Sequence, residues 1–310
     1  MLSQITGLHH VTSLASSARD NNAFYTQVLG LRRVKKTVNF DAPQVYHLYF
    51  GDEAGSPGTV VTSFPFPRAA RGRRGTGEAG LISFSVPPGA VAAWTDRLAA
   101  LDVDGVTGDR LFDAARLSFY GPDGERLALV EAEDARAPWT GGGVETAMAI
   151  RGLHGAELTL ADAGATAELL HLMGYREAGH DGGVRRLALP QGNGTAGVID
   201  IATRPGEAPA RQGSGSVHHI AFAVADRARQ DEVREALMAE GWQVTEPIDR
   251  DYFWAIYFRS PGGVLFEVAT GEPGFGRDEA AAALGRGLRL PAQHAHLRPR
   301  LERELEPLPD

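Results

Sequence analysis

The chain is predicted to be an α+β protein made of four repeated βαβββ units. Three observations predict this. Runs with the period-two alternation of strands are interleaved with stretches of helical period. The order strand, helix, then two or three strands recurs four times in 310 residues, which is a repeat longer than any single element and not a parallel βαβ sheet. The first and last units open on paired histidines, GLHH and VHHI, that superpose when the units are laid on one another.

Taken in order, GLHHVTS from Gly7 opens a strand, an amphipathic helix is expected over 18–29, and VYHLYF and GTVVTSF follow as strands. The second unit has LISFSV, a helix near 90–101, and strands at 116–120 and 126–131 joined by the turn GPDG. The third runs from GLHGAELTL through a helix near 163–173 to GVIDIA. The fourth has VHHIAFAV, a helix near 228–240, YFWAIYFRS and PGGVLFEVAT. The units are expected at 1–66, 80–133, 152–204 and 215–271, with a tail over 272–310 and a linker over 134–149 that contains Pro138 and Gly141 to Gly143.

Composition narrows the function. With 43% hydrophobic and 23% charged residues the chain can bury a sizeable core. No apolar run is long enough to cross a bilayer and the first residues lack a signal pattern, so a cytoplasmic protein with no membrane partner is the default expectation. A net charge of −8 argues against nucleic acid. The one basic cluster, PRAARGRRG at 67–75, is expected to be a solvated loop. Zero cysteines exclude disulfides and thiolate chemistry, so any metal must be held by histidine and carboxylate.

Strand parity then separates the histidines. His218 runs with Ile220, Phe222 and Val224, whereas His219 runs with the small Ala221 and Ala223 and should face a cavity. Glu267 is a carboxylate inside an apolar strand, where an unpaired charge is costly. Superposing the units places His10 on His219 and His9 on His218, and sets Ser63, Ala128 and, one place out of register, Asp200 against Glu267. Gly155 takes the ligand position in the third unit. Only the first and fourth units together offer a full set, His10, His219 and Glu267. Two imidazoles and one carboxylate on one face suit Fe(II), with Mn(II) accepted by the same set, and leave positions open for other ligands. A histidine in a strand is more often structural, and His47 is read that way, with His154, His171, His180, His294 and His296 read as structural or solvent-exposed.

The units resemble the vicinal oxygen chelate superfamily, and GLHHVTS, YHLYFGDEAGSPGTVVTSFPF, SVHHIAFAV, SPGGVLFEVAT and EPGFGRDE resemble its dioxygenases that open hydroquinone rings. The resemblance implies units paired into two cupped-sheet halves, with iron in the cup of the first and fourth. It implies a small aromatic substrate, hydroquinone- or catechol-like, together with O2, and is compatible with a homo-oligomer. It also implies that His9, Thr12, His218, Arg250 and Tyr257 surround the substrate, with His9, His218 and Tyr257 handling its protons. Parity puts Tyr257 with Ala255 and Thr12 with His10, but sends His218 to the packed face unless a bulge or strand end intervenes. Two other uses of the units are a glyoxalase-type isomerase with Zn(II) or Ni(II), which needs a fourth ligand that Ser63 does not supply, and a metal-free binding protein, against which the complete triad argues.

Overall fold

The computed structural model describes residues 2–190 and 196–309. The first unit is β1 (Gly7–Ala15), α1 (Ala18–Ala23), β2 (Arg32–Val38), β3 (Tyr46–Gly51) and β4 (Val60–Pro65). The second is β5 (Glu78–Val86), α2 (Ala90–Ala100), β6 (Thr107–Leu111), β7 (Ala114–Tyr120) and β8 (Arg126–Glu131). The third is β9 (Gly152–Leu160), α3 (Gly164–Leu172), β10 (Arg176–Asp181), β11 (Val184–Ala188) and β12 (Val198–Thr203). The fourth is β13 (Val217–Val224), α4 (Arg227–Ala239), the two-residue β14 (Ile248–Asp249), β15 (Phe253–Arg259) and β16 (Leu265–Pro273).

These strands form two eight-stranded sheets that curl into half-barrels. One has the order β14-β15-β16-β13-β1-β4-β3-β2 and the other β10-β11-β12-β9-β5-β8-β7-β6, so the first unit pairs with the fourth and the second with the third. At each centre two opening strands run antiparallel, β1 with β13 and β5 with β9, and each closing strand runs parallel to its own opening strand. The pairing matches the vicinal oxygen chelate fold.

Alternation decides what each face does. Leu8, Val11, Ile220, Phe222 and Val224 join the main core with helix residues such as Tyr25, Trp94, Leu98, Val233 and Leu237. The opposite face carries smaller residues, Ala221, Ala255 and Ala269, in a second apolar cluster with Tyr49, Phe253 and Phe275. Small side chains there leave the concave face open.

The helix expected over 18–29 is α-helical only to Ala23 and continues as a π turn over Phe24–Val28, where Leu29 N donates to Phe24 O. β2 went unread because RRVKKTV looks like surface. Its charges are instead neutralised by the tail: Lys35, with no solvent exposure, donates to Asp278 Oδ1 at 2.6 Å and Glu279 Oε2 at 2.5 Å, and Arg33 Nε donates to Gly285 O at 2.8 Å. The basic segment is likewise not a free loop. It bridges to the stretch before β13 through Arg71 with Ser214, Arg73 with Arg211 and Thr76 with Pro209, and Arg71 Nε donates to Asp123 O at 3.0 Å.

Candidate metal centre

Both histidine pairs sit on β-bulges. Along β1 and β13, Leu8 pairs with Phe222 but His10 with Ala221, so His9 is an extra residue on β1. Further on, Thr12 pairs with His219 but Ser13 with Val217, so His218 is the extra residue on β13. A bulge breaks the alternation and lets two successive side chains serve neighbouring spaces on one face. Parity alone had sent His218 to the packed face; the structure instead puts it in the wall of the concave cavity beside His219.

His10 Nε2, His219 Nε2 and Glu267 Oε2 converge. The two nitrogens are 3.2 Å apart, and they stand 3.6 and 2.9 Å from the carboxylate oxygen. All three residues are buried, and among the described residues they form a group whose donor atoms lie within 4.8 Å of one another. Glu267 is wholly buried, yet neither of its oxygens accepts a well-formed hydrogen bond. Burial by itself would push its carboxyl up, but the adjacent His10 and His219 outweigh that and hold it well below the usual carboxylate range. An ionised, desolvated carboxylate with unsatisfied oxygens facing two imidazole nitrogens fits a divalent cation.

The hydrogen bonds behind the ligands set their tautomers. His9 Nε2 lies 3.1 Å from Thr270 O, which can only accept, so His9 Nε2 carries a proton. Burial, then the neighbouring His10, lowers the His9 pKa to about 3, so the ring is neutral and its Nδ1 must accept. His10 Nδ1, 2.9 Å away, is therefore the donor, and His10 Nε2 is the ring nitrogen that faces Glu267. His218 Nδ1 lies 2.8 Å from His219 Nδ1 in the same way. Burial, with His219 beside it, lowers the His218 pKa to about 4.

The triad opens into a cavity of about 250 Å³ whose walls include Phe40, Phe64, Phe66, Phe253, His218, Arg250 and Tyr257. Arg250 Nε donates to Tyr257 Oη at 3.1 Å. A larger cleft of about 650 Å³ lies elsewhere and shares only His218 with this cavity.

Two residues expected around the substrate stand behind the wall instead. His9 is held against Phe253 and the Thr270 carbonyl, and Thr12 Oγ1 lies 2.9 Å from Thr62 Oγ1 beneath the surface. Conversely His47, read from sequence as structural, lines the cavity with Tyr49. Their alternate spacing in VYHLYF was the signal available.

The ladders also correct the superposition. Glu267 pairs with Ala221, two residues past His219; the residue that pairs with Thr12, two past His10, is Thr62 and not Ser63. Ser63 Oγ turns away to Asn21 Oδ1 at 2.6 Å. Asp200 pairs with Glu157, two past Gly155, and so is in register with Glu267 rather than one place out. Thr62 supplies no fourth charged ligand either.

A family model described as the Glyoxalase/Bleomycin resistance protein/Dioxygenase superfamily matches residues 7–129 and 175–268. The chain is 40% identical over 309 residues to MhqO of Bacillus subtilis (strain 168), which carries the provisional name ring-cleaving dioxygenase, covering 99% of this chain and 98% of that one. It is 35% identical over 303 residues to a chlorohydroquinone/hydroquinone 1,2-dioxygenase of Sphingobium indicum, covering 94% and 92% of the two chains. The crystal structure of a Bacillus subtilis protein provisionally called a dioxygenase superposes with a TM-score of 0.95 at 40% identity, covering 99% of this chain and 98% of that one.

Proposed function

The chain belongs to the glyoxalase/bleomycin resistance protein/dioxygenase superfamily, and from that membership we propose that it is an Fe(II)-dependent ring-cleaving dioxygenase acting on hydroquinone- or catechol-like diols. The observation that carries the reading is the convergence of His10 Nε2, His219 Nε2 and Glu267 Oε2 at the floor of an aromatic-walled cavity. These three would hold the metal, and Mn(II) suits the same donors. Bound there, it would supply open coordination positions and redox capacity, the chemistry needed to bring a diol and O2 together.

The chain's own groups do the rest. The apolar walls exclude water and hold an aromatic ring by its faces. Arg250 stays cationic: burial opposes its charge, but Tyr257 and Glu267 outweigh burial. It offsets the negative charge of an ionised phenol. Tyr257 Oη accepts from Arg250 and its own proton faces Glu267, so the hydroxyl stands beside the triad. Burial also keeps that proton on, pushing the Tyr257 hydroxyl well above its ordinary range.

His218 acts as a donor in this reading. When His219 Nε2 ligates, His219 Nδ1 keeps its proton and His218 Nδ1 accepts it, so His218 Nε2–H is what a ligand in the cavity meets. His218 would thus donate a hydrogen bond to a ligand oxygen rather than take the phenol proton, and His9 would act by fixing His10 rather than by touching substrate.

The test is anaerobic reconstitution with Fe(II), followed by oxygen uptake on a panel of hydroquinones and catechols. Uptake that depends on a diol and vanishes in His219→Ala is expected. Uptake no greater than that of the variant would overturn the proposal.

A further inference from the structure

Resting on the dioxygenase reading, we propose that His47 and Tyr49 form a hydrogen-bonded wall that binds the second hydroxyl of a para-diol, and so select hydroquinones over catechols. The strand order carries the inference. The triad comes from β1, β13 and β16, on one side of the cup, with Tyr257 on the adjoining β15. β3 lies on the other side, two strands from β1, or about 9–10 Å at the usual ~4.8 Å spacing.

Within the repeat, Tyr49 pairs with Thr62 as Tyr257 pairs with Glu267, so two tyrosines enter the cup from opposite walls. A ring held at the triad by one oxygen points its far end across β4 toward β3. A para-diol brings a hydroxyl to that wall; a catechol keeps both oxygens at the triad.

The wall is built to serve such a group. Tyr49 Oη lies 2.9 Å from His47 Nδ1, His47 Nε2 lies 2.8 Å from Thr62 Oγ1, and Thr62 Oγ1 lies 2.9 Å from Thr12 Oγ1. Phe64 packs on the His47 ring at 4.3 Å and fixes it. A neutral imidazole in such a chain can be read in two directions. If Thr12 and Thr62 donate toward His47, then His47 Nδ1–H donates to Tyr49 and the phenolic proton is free for the cavity. If Tyr49 donates to His47, its oxygen presents only lone pairs. The chain can therefore donate to a ligand oxygen or accept from a hydroxyl without placing net charge in the cavity.

Tyr49→Phe keeps the ring and removes the polar tip. The probes are hydroquinone, catechol and 4-methylphenol, which replaces the far hydroxyl by a methyl, titrated calorimetrically into anaerobic Fe(II)-loaded protein without turnover. Wild type should bind hydroquinone roughly three- to tenfold tighter than 4-methylphenol, the range of one neutral hydrogen bond. Tyr49→Phe should abolish that preference by weakening hydroquinone alone, leaving 4-methylphenol and catechol unchanged. His47→Phe, which preserves the aromatic stack, should do the same. A preference that survives both variants, equal weakening of all three probes, or a wild type that binds no diol overturns the inference. If wild type consumes O2 with hydroquinone while the preference survives, only this inference falls; if it binds hydroquinone selectively but consumes no O2 with any diol, the dioxygenase reading falls instead.

Discussion

Glu267→Gln should lower stability without metal and lower it further with metal. The side chain has no solvent exposure, neither oxygen accepts a well-formed hydrogen bond, and the groups facing it are His219 Nε2 at 2.9 Å and His10 Nε2 at 3.6 Å. Without a metal the carboxylate is a desolvated charge held ionised by His10 and His219, which outweigh its burial. The amide has the same shape and no charge, and removing one partner of a buried ionic group commonly costs about 3–5 kcal/mol.

With metal a second loss is added. A cation present at a thousand times its Kd stabilises the folded chain by about 4 kcal/mol. If losing the carboxylate weakens binding about a hundredfold, the same cation concentration yields only about 1.4 kcal/mol. Urea unfolding of both proteins, in chelator and in excess Fe(II) under nitrogen, measures all four states. The expected pattern is a variant less stable than wild type in chelator and a metal increment smaller by more than about 2 kcal/mol. A variant as stable as wild type in chelator would mean that the two imidazoles do not hold the carboxylate, and an unchanged increment would mean that it is not a ligand.

Three further outcomes follow from buried charges elsewhere. Burial raises the Glu125 carboxyl from 4.5 to about 7, so the folded state binds the extra proton; stability from this group is full below 4.5 and is lost as pH rises through 7. Glu125→Gln should therefore flatten the fall, gaining roughly 3 kcal/mol relative to wild type at pH 8 in urea titrations at several pH values. Arg186 grips Asp200 with two bonds of 2.8 Å, so Arg186→Met should cost about 3–5 kcal/mol in thermal or urea unfolding, and adding Asp200→Asn should recover most of it. Lys35→Met leaves the buried Glu279 with Arg289 at 3.5 Å as its ionic partner, with a loss of about 1.5–3 kcal/mol, and limited proteolysis should cut the tail after β16 before any other segment.

The sequence reveals the faces of the strands better than their defects. Ile220, Phe222 and Val224 against Ala221 are enough to tell core from cup, because large and small side chains alternate without exception there. A bulge leaves no such mark. Any residue can be the extra one, so the positions of His9 and His218 were decided by pairing with a strand more than two hundred residues away. The Ser63 and Asp200 readings failed by one place for a related reason. Matching turn residues aligns where a strand begins, whereas the parallel ladder on β1 or β9 decides which residue faces the cup. β2 was illegible because its partners, Asp278, Glu279 and the Gly285 carbonyl, come from the far end of the chain.

The second cup strengthens the argument for a cation in the first. Asp200 occupies the register of Glu267, and Arg186 pairs with it on β11 as Tyr257 pairs with Glu267 on β15. Leu81 and Gly155 stand where His10 and His219 would, so neither ligand imidazole has a counterpart in this cup. Its buried carboxylate is nonetheless neutralised: the Arg186 guanidinium lies against it, 3.9 Å from the Phe112 ring, and the space left between the walls is about 10 Å³. The fold therefore places one buried acid at the same point of each half, and each needs a positive partner. In the half without the two ligand histidines a guanidinium meets that need and fills the cup. In the other half no Arg or Lys among the described residues forms an ion pair with Glu267, and the cup stays open above the two imidazole nitrogens, the arrangement in which a metal ion meets the same need.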